Sequence, residues 1–134
     1  MRGLVPSMNQ LLHEARWRRH WQVLLLTFAA VSAYFAFMPA GPKLPFSVWD
    51  KAIHVAAFAA MGLAAALAQP PGWRRAGNAA AVLLGYGGFI ELVQSALPNR
   101  TAEAADLLAD AVGIAGGMLL AAALRRVWRP SALA

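Results

Sequence analysis

Hydrophobic and polar positions alternate along this chain in long blocks rather than in short periods. Four apolar stretches, at about 21–38, 52–68, 79–97 and 107–124, are separated by short polar breakers. Each is close to the roughly 20 residues that a helix needs to cross the hydrocarbon core of a bilayer. The breakers are 39–45 (PAGPKLP), 70–72 (PPG) and Pro98-Asn99, and proline stops a helix because it lacks an N–H and clashes with the preceding turn. The pattern predicts an all-α membrane protein, a four-transmembrane-helix bundle. Its helices are expected at about 21–38, 50–69, 78–97 and 105–125 within a transmembrane domain at 21–128, followed by a tail at 129–134. A basic cytoplasmic segment is expected at 1–20, and the stretch from Ser7 to Trp21 begins with a capping-box pattern, Ser7 and Gln10, and carries Leu11, Leu12, Trp17 and Trp21. It reads either as a short interfacial helix or as a frayed basic tail. The first apolar run is longer than the core of a signal peptide and has no small-x-small cleavage site, so it is expected to be an uncleaved anchor.

Composition agrees with a lipid environment. Sixty per cent of the residues are hydrophobic and only 13% are charged, against about a quarter charged in soluble domains. Cysteine is absent, which removes disulfides, thiolate nucleophiles and Cys-based metal sites and leaves the compartment open. A net charge of +6 would suit nucleic acid if a soluble basic face existed, but the arginines border the apolar runs, and nucleic-acid binding is set aside. With four spans, one face carries Arg2, Arg16, Arg18, Arg19, Arg74, Arg75, Arg125, Arg126 and Arg129, and the other only Lys43, Lys51 and Arg100. This bias predicts a multi-pass protein of the inner (cytoplasmic) membrane with both termini cytoplasmic.

Against that background five of the six acidic residues are anomalous. Asp50, Glu91, Glu103, Asp106 and Asp110 lie in or beside apolar segments, where an unpaired carboxylate costs several kcal/mol. Helical rise brings Asp50, His54, Glu91, Gln94, Arg100, Asp106 and Asp110 within roughly 10 Å of the outer boundary. Asp50 and His54 share a helical face at i, i+4, and Glu91 and Gln94 at i, i+3. Asp106, Asp110, Gly113 and Gly117 form one stripe, and the Gly113-x-x-x-Gly117 pair favours close helix packing. Each helix can therefore turn its acids into the bundle.

The string Asp50-Lys51-x-x-His54-x-x-x-Phe58, Glu91-x-x-Gln94, Pro98-x-Arg100, Asp106-x-x-x-Asp110 and Gly113-x-x-x-Gly117 resembles the VanZ-like family. These are small polytopic membrane proteins named after a teicoplanin-resistance protein, and the resemblance covers about half of the chain. It implies a polytopic fold and a link to envelope-antibiotic susceptibility. The chain departs from the family pattern at Asp110, a position that is typically Asn, so a titratable group replaces a hydrogen-bonding strut.

Three readings of the cluster stay open on sequence grounds. It can be a purely structural polar network, with Asp50 accepting from His54, Arg100 pairing with Asp106 and Gln94 bonding to a neighbouring helix. It can be a site for a cell-envelope lipid or a lipid-linked or lipopeptide ligand, with Arg100 and Lys51 holding phosphate or carboxylate. Five acids against two fixed cations then require a cation or protonated acids. It can be a membrane-embedded hydrolase or transferase acting on an envelope lipid. His54, Glu91 and Asp106 are weak metal candidates for that reading, because no compact ligand motif is present. No cofactor is expected. Membrane lipids are the expected partners, and homo-oligomerisation through an outer face is an open option.

Overall fold

The computed structural model describes residues 6–38, 47–98 and 102–128, with the side chains of the third long segment described from Lys51 onward. Five helices follow in order: α1 (Met8–His13), α2 (Ala15–Phe37), α3 (Ser47–Leu67), α4 (Trp73–Ser95) and α5 (Ala104–Val127). No strand occurs among the described residues. By length and composition α2, α4 and α5 can each cross a membrane, and Lys51–Leu67 of α3 is a shorter apolar helix.

Local chemistry sets the helix ends. Ser7 caps α1 reciprocally: the Gln10 backbone N–H donates to Ser7 Oγ at 3.4 Å, and the Ser7 N–H donates to Gln10 Oε1 at 3.0 Å. Glu14 is extended and divides α1 from α2, which then takes Arg16, Arg18 and Arg19 into its first turns. Arginine is a good helix former, and α2 therefore starts at Ala15 instead of near residue 21. Likewise α4 starts at Trp73, immediately after Pro70-Pro71-Gly72, and incorporates Arg74 and Arg75. Helix α5 has Asp106 in its first turn and Arg125 and Arg126 in its last, the charge order that the helix dipole favours.

Helices α3 and α5 form the closest pair. A Cβ added at Gly113 would lie 2.5 Å from the Val55 carbonyl oxygen, and one at Gly62 would lie 2.7 Å from that of Ile114. A Cβ at Gly117 would collide with the Ala59 carbonyl. The two backbones thus touch directly, which maximises dispersion contact where lipid offers no hydrophobic drive between helices. Phe58, Met61, Ala65, Leu83 and Ile114 fill the centre of the bundle. Leu26, Phe35, Val82, Leu92, Leu108 and Leu119 point outward and are exposed, an apolar surface of the kind that lipid solvates.

The two ends differ in chemistry. At one end Arg125 Nε donates to the Leu12 carbonyl at 3.2 Å and its Nη2 to the Gln69 carbonyl at 2.9 Å. His13 Nε2 meets the Trp128 carbonyl there at 2.8 Å, so α1 is fastened across the ends of α3 and α5. Toward the other end, Tyr86 OH donates to the Ala29 carbonyl at 2.5 Å and Gln94 Nε2 to that of Ala36 at 3.3 Å. These two bonds tie α2 to α4, with Glu91 between them along α4.

The glycine contacts make a direct prediction. Gly117→Ala forces a methyl group into backbone and is expected to cost about 1–3 kcal/mol, with a lower unfolding temperature in detergent. Gly116→Ala, which meets nothing within 4 Å, is expected to be neutral or stabilising by up to about 1 kcal/mol. Equal effects from the two substitutions would rule out the backbone contact.

Candidate functional site

The site begins with His54, one turn into the described part of α3. Its Nδ1 lies 2.8 Å from Asp110 Oδ1 on α5. An ionised carboxylate can only accept, so Nδ1 carries the proton and donates. The pair is well enclosed: the side chain of His54 is 13% exposed and that of Asp110 is 1% exposed. The His54 ring lies parallel to that of Phe58, which is buried one turn further in. Gly87 of α4 leaves the space that the Asp110 carboxylate occupies, because a Cβ there would collide with Asp110 Oδ2 and lie 3.2 Å from Phe58 Cζ.

Two further carboxylates complete the cluster. Glu91 and Asp106 are both buried, and one oxygen of each, with one ring nitrogen of His54, forms a group whose atoms all lie within 4.8 Å of one another. Glu91 Oε2 accepts the Glu103 backbone N–H at 3.1 Å. Lys51 Nζ bridges Glu103 Oε2 at 2.9 Å and Asp106 Oδ1 at 3.4 Å. The longer contact is an ion pair without hydrogen-bond geometry, so Asp106 Oδ1 accepts no hydrogen bond. Glu91 Oε1 and Asp110 Oδ2 also accept none, although both are buried. Buried acceptors are nearly always paired in folded proteins, and three orphans within one cluster mark it as unusual.

The residues singled out in the sequence fall as follows. Lys51, His54, Glu91, Asp106 and Asp110 converge at one end of α3, α4 and α5. Gln94 is buried nearby and spends its amide on α2. Gly113 and Gly117 lie in the α3–α5 contact. Arg100 and the Asp50 side chain lie outside the described residues, and with them the expected Asp50–His54 and Arg100–Asp106 pairs. The described partners are different ones: His54 Nδ1 is held across helices by Asp110, and Asp106 faces Lys51. Glu103 was counted among the anomalous acids but not among the site residues. It sits at the N-cap of α5 without a side-chain cap bond, and it serves the cluster through both its backbone and its carboxylate. The signal for it was its place immediately before the apolar run, a capping position.

An apolar groove opens beside this cluster. It has a volume of about 540 Å³ and runs between α2 and α3, lined by Phe28, Val31, Phe35, Ile53 and Ala57, with His54 and Gln94 also in its wall.

Buried acids gathered around a histidine, within apolar helices long enough to cross a bilayer, define a helical membrane protein with an internal polar site. The VanZ/LLP1 family profile matches residues 4–125, and the chain belongs to that family. No curated protein and no solved structure matches it.

The His54–Asp110 pair is directly testable. His54→Leu leaves Asp110 buried without its described hydrogen bond to the imidazole and is expected to cost about 3–5 kcal/mol. Asp110→Leu in addition should restore much of that loss, since replacing both partners of a buried pair is often nearly neutral. Thermal unfolding of the two single variants and the double variant in detergent measures the coupling. Simple additivity would show that the two side chains do not interact.

Proposed function

We propose that the chain crosses the cytoplasmic membrane four times with both termini inside, and that the His54 cluster is an outward-facing head-group site for a cell-envelope amphiphile. A lipid-linked intermediate or a lipoglycopeptide-type molecule has the required form, a polar head joined to an apolar chain. The observation that carries this reading is the continuity of groove and cluster: the apolar channel between α2 and α3 has His54 and Gln94 in its wall. An alkyl chain gains little by leaving bilayer for an equally apolar groove. The groove therefore sets alignment, and the polar cluster supplies selectivity. Sidedness rests on the arginine bias, which assigns the Arg125 end to the cytoplasm and the acidic end to the exterior. Holding such a molecule at the outer face would alter susceptibility to envelope-directed antibiotics, the property suggested by the family resemblance.

A second reading, hydrolysis or group transfer on the same lipid, draws on the His54–Asp110 contact of 2.8 Å. A carboxylate that orients an imidazole is a common arrangement for a general base. Incubating purified protein with labelled envelope lipid and following product with time separates the two, because binding alone yields no product.

The binding reading is tested by mass spectrometry of lipids that co-purify with the full chain. The wild type is expected to carry an enriched amphiphile, and Ala57→Trp, which fills the groove, is expected to lose it. A lipid complement matching that of an unrelated membrane protein in the same detergent would contradict the proposal. Because the chain has no cysteine, sidedness is open to labelling in intact cells. A membrane-impermeant thiol reagent should modify Ala102→Cys and spare Arg126→Cys, and the reverse pattern would invert the topology.

A further inference from the structure

We propose that His54, Glu91 and Asp106 bind a divalent first-row cation, Zn²⁺ or Mn²⁺, that forms the floor of the head-group site. The inference rests on reading this cluster as the head-group site, and it names what makes such a site able to accept an anion. Charge is the first argument. Among the described side chains, Glu91, Glu103, Asp106 and Asp110 face one fixed cation, Lys51. Counting Asp50 and Arg100 adds one charge of each sign and leaves the excess as it is. A phosphate or carboxylate head would be repelled from such a place, whereas a dication offsets two of the charges and presents a Lewis-acidic centre to the head group.

The second argument is the set of orphaned oxygens. Glu91 is 7% exposed and Asp106 3%, and each has one buried oxygen that accepts no hydrogen bond, Oε1 and Oδ1 respectively. One ring nitrogen of His54 and one carboxylate oxygen each of Glu91 and Asp106 lie within 4.8 Å of one another. Tetrahedral ligation with bonds of 2.0–2.2 Å puts donors roughly 3.3 Å apart, so a modest inward turn of the Glu91 and Asp106 side chains closes the set.

The third argument is the surrounding layer. Metal-binding imidazoles donate their other N–H to a carboxylate, and metal-binding carboxylates are held by hydrogen bonds of their own. Two of the three candidate ligands, His54 and Glu91, have such a partner, whereas Lys51 contacts the same Asp106 oxygen, Oδ1, that would face the cation. Asp110 takes the Nδ1 proton of His54, which assigns Nε2 to the cation. The Glu103 backbone N–H holds Glu91 Oε2, and Lys51 lies against Asp106. An imidazole and a carboxylate steadied by different neighbours, with a second buried carboxylate beside them, are more than a chance gathering of acids. One imidazole with two carboxylates favours Zn²⁺ or Mn²⁺ over Mg²⁺, which prefers an all-oxygen shell.

The test uses the detergent-purified full chain, exposed to Zn²⁺ or Mn²⁺ and passed through a desalting column before elemental analysis. Stoichiometric metal is expected in the wild type, with affinity reduced about 10–100-fold by Asp110→Asn, whose effect passes through His54. Glu91→Gln and Asp106→Asn should lose more. Pulsed electron paramagnetic resonance of the Mn²⁺-loaded chain carrying H13Q and H20Q, in which His54 is the remaining histidine, should show coupling to one imidazole nitrogen. That readout needs no change at the site itself and decides the matter if the acid variants do not fold. Absence of stoichiometric metal from the wild type, or bound Mn²⁺ without nitrogen coupling, overturns the proposal. Because metal is measured without lipid, a chain that enriches lipid but takes up no cation refutes the cation alone. One that binds metal but enriches no lipid refutes the head-group reading alone.

Discussion

Direct backbone contact between α3 and α5 is the constraint from which the polar interior follows. Gly62, Gly113 and Gly117 remove the side chains that would hold these helices apart. The gap that results is narrow enough for His54 to reach Asp110 at 2.8 Å. Gly87 repeats the device on α4, where the missing side chain makes room for the Asp110 carboxylate. Small residues thus do two things in this bundle: they supply close packing where lipid gives no hydrophobic drive, and they set the depth and spacing of the buried charges.

Those charges are held more tightly for position than for stability. The Lys51–Glu103 pair is exposed, and exposed ion pairs contribute little to stability, so Lys51 and Glu103 gain little for the fold as a whole. The described contacts nevertheless give His54 and Glu91 each a hydrogen-bonded neighbour while leaving Glu91 Oε1 and Asp110 Oδ2 without one. Fixing one side of a polar group and leaving the other side open is expected of a site that receives something. The apolar groove that reaches His54 and Gln94 gives that site an approach from the side of the bundle. An amphiphile could take it without passing through water.

The number and placement of the helical segments were legible in the sequence because apolar runs and proline breakers are local signals. Convergence was legible as well: rise per residue alone put Glu91, His54 and Asp106 at one level along the bundle, where they lie together. What the sequence could not supply was rotation about the helix axes and the crossing of α3 with α5. Asp50 and Asp110 were both available to His54 by depth. The described Nδ1 contact goes to Asp110 because glycine packing turns that face of α5 toward α3. The start of α2 was misjudged for a related reason. A run of arginines reads as interface by polarity, yet the side chains are long and helix-forming, and the helix continues through them to Ala15. Glu103 stands out in the sequence as an anomalous acid, but its part in the site is not legible there, because its backbone N–H, which no sequence pattern ranks, makes the contact with Glu91.

The central claim is that His54 and Asp110 form a fixed pair across α3 and α5, around which the other acids are arranged. Nitrogen-15 magnetic resonance of histidine-labelled full chain in bilayers measures that pair directly. A His54 that carries a proton on Nδ1, with a signal that moves when Asp110 is replaced by Asn, is the result the account predicts. A His54 protonated on Nε2, with a signal indifferent to Asp110, would contradict it.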